Sequence, residues 1–370
     1  MKEINKIIQF YDQINWSQEQ AALATVVRVE ESAYRRIGAR MLVSSKGIWT
    51  GGISGGCLEG DALKRAQMAI GRRRSSIIVY DTLEDDAHQI GVGLGCNGRI
   101  DVLFTPINEQ DGQNPVEQLK HVRNRRQPTV ICQVIGTESG DPGLLGAMTI
   151  EENLPAFCQS TTFNLKDLTA FCRESLEAHQ SIIRSLTTAD GSSYEILVEY
   201  IRPRVKLICI GDNYDVNAFV SIGHELNWEI HVAGKSRKLS RHVFEFADKV
   251  HDFDSIRLLD LDAHTAILLM THDYQIDLGM LRHFASTKVP YLGILGPKKR
   301  TLKMQAELKG EDNGVDLSQL RNLYSPVGLD IGAESPEEIA LSIASEIIAV
   351  MRNRQGGPLR ERQGPIHNRN

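Results

Sequence analysis

The sequence has no apolar run long enough to cross a bilayer, no CxxC pair among its six cysteines and no concentrated basic face. Each absence excludes a class. Without such a run no transmembrane helix is expected. A formal net charge of −5 over 370 residues argues against a nucleic-acid partner. Cys57, Cys96, Cys132, Cys158, Cys172 and Cys209 are scattered along the chain. They form neither a disulfide framework nor a zinc ribbon, so a reducing cytoplasm is the expected setting. The N-terminal MKEINKIIQFYDQINW sets acids and amides inside its apolar pattern. It reads as an amphipathic helix and not as a signal peptide.

What is present is ordinary for a globular α/β protein: 41% hydrophobic and 24% charged residues. The length suits about two or three domains. The β-branched run 21–30 predicts a strand, followed by strands near 39–44 and 48–53. A helix is expected over about 58–70, with Leu58, Ala62, Leu63, Ala66 and Ile70 on one face. Strands near 76–80 and 99–106 follow. A weaker copy of this order lies downstream. Pro128-Thr129-Val130-Ile131 echoes Ala24-Thr25-Val26-Val27, Leu145–Met148 echoes the stretch from Ile37 to Met41, and Glu195–Val198 echoes Asp101–Phe104. Either an α+β unit is duplicated, or short strands that share a small alphabet happen to look alike. The expected divisions are an N-terminal α+β accessory domain over 1–110 and a second α+β unit over 111–202.

After Arg202-Pro203 the pattern changes to alternating strands and helices. Strands are expected at 205–210, 229–232, 266–270 and 289–294, with a helix at 216–226. This implies a Rossmann-like doubly wound parallel sheet over residues 203–350. Ser335, Pro336, Glu337 and Glu338 are strong signals for the start of a last helix. Residues 351–370 hold five arginines and one glutamate among Gly, Pro, Asn and Gln. They read as a disordered basic tail.

The sharpest chemical signal is Ser54-Gly55-Gly56-Cys57-Leu58-Glu59-Gly60-Asp61. The glycines allow close backbone approach, and Cys57 falls at an expected helix start, where N–H groups favour a thiolate or a phosphate. Cys57 reads either as such a poised thiol or as a small buried cysteine beside a turn. A second glycine-rich loop, 91–98, carries Gly95 and Cys96. Two thiols on two glycine loops suggest one shared site, and soft sulfur suits molybdenum, copper or persulfide. A zinc site would need a third ligand, for which His88 is the nearest candidate, and no metal is assigned. Arg35, Arg36 and Arg40 precede the turn and could grip a phosphate; a solvated basic edge is the plainer reading.

In the second half Gly211 follows the first strand, where a dinucleotide loop belongs. Only that first glycine of the GxGxxG pattern remains in Gly211-Asp212-Asn213-Tyr214-Asp215-Val216. The second strand ends in Ala233-Gly234-Lys235 where an acid would hold a ribose. Gly211, Asn213 and Lys235 therefore mark a dinucleotide-like loop not expected to bind NAD(P). Thr271-His272-Asp273 follows a strand end, a usual ligand position in such sheets. Gly296-Pro297-Lys298-Lys299-Arg300 follows another. Pro326–Glu334 (PVGLDIGAE), with Asp330 and Glu334, is richer in glycine and acids than a plain connector.

These residues together resemble the xanthine dehydrogenase accessory-factor family, also called XdhC/CoxI. The likeness rests on ATVVRV at 24–29, Tyr34-Arg35-Arg36, Gly38–Met41, SGGCLEGD at 54–61 and Gly93-Leu94-Gly95-Cys96. It continues through Leu269–Asp273, Tyr291–Gly296, PVGLDIGAE and Pro336–Ala340. The resemblance implies a homodimer that binds molybdenum cofactor (molybdopterin). It implies help with cofactor sulfuration by a cysteine desulfurase and delivery to a xanthine dehydrogenase-type molybdoenzyme. Cys57, Cys96, Gly55, Gly56, Gly95, Arg35, Arg36 and Arg40 would line the cofactor site. The chain lacks the cysteine groups of an iron–sulfur path, so it reads as an accessory protein and not as the dehydrogenase. Where the family has a Gly-Ala-Gly-His-like turn, this chain has Gly211-Asp212-Asn213-Tyr214. The competing readings are a nicotinamide-dependent oxidoreductase using the C-terminal domain and a persulfide carrier on Cys57.

Overall fold

The computed structural model describes residues 1–31, 36–81, 98–311 and 314–363. The chain divides into two compact units, Met1–Pro203 and Arg204–Asn370. Among the described residues no helix is long and apolar enough to cross a membrane.

The first unit opens with helix α1 (Lys2–Gln13), which buries Ile4, Ile7, Ile8 and Tyr11 on one face. That spacing is the one-sided stripe expected of a helix lying on a core. Strands β1 (Ala21–Glu31), β2 (Arg40–Ser44) and β3 (Trp49–Gly51) lead to helix α2 (Glu59–Arg72). Strands β4 (Ser76–Asp81) and β5 (Gly98–Pro106) then complete a five-stranded sheet ordered β3-β2-β1-β5-β4. Helix α2 covers this sheet with Ala62, Ala66 and Ala69, small residues that let helix and sheet approach closely, and with Ile70.

Helix α3 (Pro115–Val122) leads to strands β6 (Thr129–Thr137) and β7 (Met148–Ile150) and helices α4 (Leu154–Thr161) and α5 (Leu165–Ala178). Strands β8 (Ile182–Thr187) and β9 (Ser193–Ile201) close a second sheet, β7-β6-β9-β8. The two sheets are built alike. In each, the first long strand slips register once, between Val26 and Arg28 against β5 and between Val134 and Gly136 against β9. Val26 N donates to Ala39 O, and Gly38 N to Val26 O. Val134 N donates to Ala147 O, and Gly146 N to Val134 O, in the same way. Both covering helices end on a left-handed residue, Arg73 and His179. Val27, Leu103, Ile135 and Leu197 share one apolar cluster within this unit.

The second unit is a parallel sheet. Strands β10 (Lys206–Ile210), β11 (Glu229–Ala233), β12 (Lys249–His251), β13 (Thr265–Leu269), β14 (Tyr291–Ile294) and β15 (Leu323–Tyr324) are ordered β12-β11-β10-β13-β14-β15. Every residue of β10 and β13 is buried, as strands covered on both faces require. Helices α6 (Val216–Glu225), α7 (Arg241–Phe246), α8 (Tyr274–Phe284), α9 (Lys298–Lys309) and α10 (Pro336–Met351) accompany the sheet, packed into two apolar clusters. Ser335 and Glu338 form a reciprocal capping box at the start of α10. Beyond that helix, Leu359–Glu361 makes a short turn of 3-10 helix, and the rest of the basic tail, 364–370, lies outside the described residues.

Two neighbouring strands carry an acid–histidine–histidine chain. Glu229 Oε1 lies 3.0 Å from His231 Nε2, and His231 Nδ1 lies 3.0 Å from His251 Nε2. Burial, then the charges of His231 and Lys249, hold His251 below its ordinary value, with Asp252 opposing. A histidine lowered on folding binds its proton more readily in the unfolded chain. Stability is therefore fully present above about pH 6.5 and falls as pH drops through that value toward the native pKa. The melting temperature is expected to fall between about pH 7 and 5. His251→Gln should flatten that slope, and an equal slope in both proteins would refute the assignment.

Candidate functional site

The loop between β3 and α2 organises itself. Ser54 Oγ accepts from Gly56 N at 3.2 Å and from Leu58 N at 3.1 Å. It donates to Glu59 Oε2, while Glu59 Oε1 accepts from Ser54 N at 2.9 Å. Burial alone would raise the Glu59 carboxyl, but the Ser54 hydroxyl and turn N–H groups hold it below its ordinary value. Asp61 fixes the other side: Tyr80 donates to Oδ2 at 2.8 Å, and Arg65 lies 3.2 Å from the same oxygen. Burial, then Asp61, pushes the Tyr80 hydroxyl well up.

This frame presents Gly55, Gly56 and Cys57 at an exposed tip. Gly56 has φ +114°, and a Cβ there would meet no described atom within 4 Å. The reading of Cys57 as a small buried cysteine is thereby corrected. The helix-start argument is corrected too. Helix α2 begins at Glu59 with Leu58 as its cap, so Cys57 sits just ahead of it. The first turn already carries Glu59 and Asp61, two carboxylates facing the positive end of the helix. What recommends Cys57 is its exposure on an open glycine tip.

The arginines separate. Arg40 is 1% exposed and cannot grip a surface ligand. Its guanidinium pairs with Glu199 through two nitrogens, one at 3.0 Å, and donates to Gly38 O at 2.8 Å. It joins the two halves of the first unit and is a structural residue. Arg36 is exposed, and partial desolvation followed by the like charge of Arg202 lowers its pKa. Arg35, His88, Gly95 and Cys96 lie outside the described residues, and with them the shared Cys57–Cys96 site. Of the other cysteines, Cys132 and Cys172 touch at 3.4 Å in one core, and Cys209 packs on Met270 Sδ at 3.3 Å in another. Among the described residues no group of three His, Cys, Asp or Glu is placed to hold a metal.

In the second unit the order in which successive strands are added reverses between the parallel neighbours β10 and β13, the switch point at which such sheets place ligands. Asn213 donates through Nδ2 to Met270 O and caps its own turn by accepting from Asp215 N at 2.9 Å. Asp212 is buried, accepting from Lys235 N at 3.2 Å, with Lys238 Nζ at 3.5 Å. The loop's polar groups are thus held by one another, and its buried acid would set a like charge against a pyrophosphate. These residues do not fit a dinucleotide. His272, with φ +61°, lies 3.3 Å from Asp215, a pairing that neither motif announces. Strand adjacency was the missing signal. Thr271 and Asp273 are structural: Thr271 Oγ1 donates to buried Asp277 at 2.6 Å, and Asp273 caps α8. Asp277 in turn holds Arg300 at 2.6 Å. That bond directs Arg300, from the basic turn after β14, inward and away from an exposed anion.

In PVGLDIGAE, Gly328 N donates to Glu346 at 2.9 Å and Leu329 O accepts from Ser342 at 2.6 Å. The segment is moored on α10, leaving Asp330 and Glu334 exposed.

A family model described as the XdhC Rossmann domain matches residues 207–347, and one described as the XdhC and CoxI family matches residues 16–81. The Cys57 loop falls in the second match. A probable xanthine dehydrogenase subunit of Bacillus subtilis (strain 168) is 30% identical over 339 residues, 90% of this chain and 93% of that protein. The chain belongs to the XdhC and CoxI family. Another relative, the molybdenum cofactor insertion chaperone PaoD of Escherichia coli (strain K12), is 23% identical, with 93% of this chain and 87% of that one covered. A crystal structure of a xanthine dehydrogenase from Bacillus halodurans matches with a TM-score of 0.69 at 24% identity, over 95% of this chain and 97% of that one. At that identity the match shows the fold alone.

Proposed function

We propose that this protein is a molybdenum-cofactor accessory protein. It takes the cofactor as cargo, supports its sulfuration and passes it to a xanthine dehydrogenase-type molybdoenzyme. The observation that carries this reading is the exposed Cys57 thiol on a glycine tip, with Gly56 clear of other described atoms. A soft sulfur suits molybdenum, and Gly55 and Gly56 let a bulky pterin lie against the backbone. Exposed Arg36 is the arginine proposed to meet the phosphate of such a cargo. The names of the two relatives point the same way. A cysteine desulfurase is the proposed sulfur source. A homodimer is the proposed assembly, to be checked by light scattering against twice the 41.2 kDa chain.

Purified protein is expected to carry molybdenum and pterin when it is made alongside cofactor synthesis. Cys57→Ala should lower bound molybdenum at least about tenfold, the loss of one strong ligand or charged contact. Metal analysis and fluorescence of the oxidised pterin would measure both parts. Unchanged content in the variant would remove Cys57 from the site. The nicotinamide-dependent alternative predicts saturable NADH binding, and the closed loop at Asp212 predicts none.

A further inference from the structure

At the far end of α2 from Cys57, roughly 20 Å away for a helix of this length, lies a cavity of about 510 Å³. Arg72, Arg73, Arg74 and Ser75 line one wall, and the loop holding Asp141 and Gly143 lines the other. Its volume falls in the range of small-molecule sites. The three arginines are exposed, and none has a carboxylate partner among the described residues. Asp141 is the single acid on the wall, and its Oδ1 accepts from Gly143 N at 2.7 Å. Three guanidiniums against one carboxylate leave two positive charges unmatched. Behind the wall, beside lining residue Pro106, buried Thr105 holds its Oγ1 without a hydrogen-bond partner.

The internal repeat shows why this corner is open. By the shared register, Arg73, Ser75 and Pro106 correspond to His179, Ser181 and Tyr200. There Tyr200 N donates to Ser181 Oγ at 3.0 Å, and the Tyr200 hydroxyl lies 3.3 Å from His179 Nδ1. Tyrosine closes the corner in one half. In the other, proline has no N–H and no hydroxyl, and three arginines surround the gap.

We propose that this cavity binds a phosphate-bearing small molecule. Arg72, Arg73 and Arg74 supply the paired N–H groups that match phosphate oxygens, and Ser75 adds a hydroxyl. A dianionic phosphate matches the charge left unbalanced. The proposal is independent of the Cys57 reading, since Cys57→Ala leaves this wall intact.

Isothermal titration of the full chain with inorganic phosphate and with AMP tests it. Saturable binding is expected, weakening as salt is raised. Arg73→Gly should weaken it at least about tenfold, the worth of one charged hydrogen-bonding partner. Glycine accepts the φ of +50° at residue 73 without strain, so the melting temperature should not fall. The paired variant Arg72→Gln/Arg74→Gln should abolish binding, and Arg173→Gln, which removes a charge from α5, should not. Tighter binding of AMP than of phosphate supports a nucleotide as occupant, and equal binding supports the phosphate group alone. Absence of saturable binding by either probe, or equal affinity in wild type and Arg73→Gly, overturns the site.

Discussion

Glu199→Ala is expected to destabilise the first unit by about 3–5 kcal/mol, among the largest effects of any single substitution in the protein. The reason is the partner left behind. Arg40 is 1% exposed, and its guanidinium faces Glu199 and Gly38 O. Its Nε already lacks a partner, so removal of the carboxylate leaves a buried cation with one remaining acceptor. A buried pair is costly to break from one side yet replaceable as a whole. The protein supplies the replacement itself. Thr25 faces Arg40 and Gln133 faces Met148, while Leu23 faces Thr105 and Ile131 faces Glu199. Met148 and Thr105 are therefore the repeat's counterparts of Arg40 and Glu199. The double variant Arg40→Met/Glu199→Thr should recover most of the loss, ending within about 1–2 kcal/mol of wild type. Urea unfolding of the wild type, Glu199→Ala and the double variant measures both expectations. If Glu199→Ala were as stable as wild type, the buried pair would not be holding the two halves together.

That same register explains what the sequence could and could not tell. The echoes Leu145–Met148 with Gly38-Ala39-Arg40, and Glu195–Val198 with Asp101–Phe104, stand at matching ladder positions. Each is marked by something particular, a glycine after the strand slip or an acid opposite it. The third echo, Ala24–Val27 with Pro128–Ile131, is four residues out, because Val26 and Val134 hold the equivalent positions, each just before its strand's register slip. A run of small and β-branched residues carries no landmark along its own length. Strands β12 and β15 went unread for a related reason: at three and two residues they are too short to show alternation. The parallel core was legible because continuous apolar runs such as Leu207–Ile210 need burial on both faces.

Site residues were legible as motifs, not as partners. SGGCLEGD announced a turn, yet the clasp of Ser54 by Glu59 and the anchoring of Asp61 on Tyr80 depend on geometry across the loop and onto β4. Arg40 looked like a surface cation because it follows Arg35 and Arg36 in a basic cluster, although Ala39 and Met41 flank it. Its place in the core is set by Glu199, 159 residues away. Asp215 and His272 meet because β10 and β13 are neighbours, a fact that belongs to the sheet order and not to either motif.

The sheet order also decides whether the missing dinucleotide acid could be put back. Gly234→Asp, which places an acid after the second strand of the unit, is expected to cost about 1–3 kcal/mol and to restore no NADH binding. A Cβ at 234 would sit 2.8 Å from Asp212 Cβ and 2.9 Å from Gly211 O. The glycine is there because Asp212 is there. Gly211 is pinned in turn, since a Cβ on it would lie 2.7 Å from Met270 O. Strand ends, Asp212 and the Lys235 amide form one packed corner, and a second carboxylate would bring a like charge into it. Removing the blocking acid first separates the two effects. In Asp212→Ala/Gly234→Asp the like charge is gone, while the Cβ that alanine keeps still crowds residue 234. The stability cost should therefore shrink only by its electrostatic part. NADH binding stays absent because Asn213 still bonds to Met270 O and holds the loop closed. Thermal unfolding reads the first expectation and NADH fluorescence titration the second. Saturable NADH binding by Gly234→Asp alone would show that the corner opens readily, and that the loss of one acid, not the closure by Asp212, is what silences the loop.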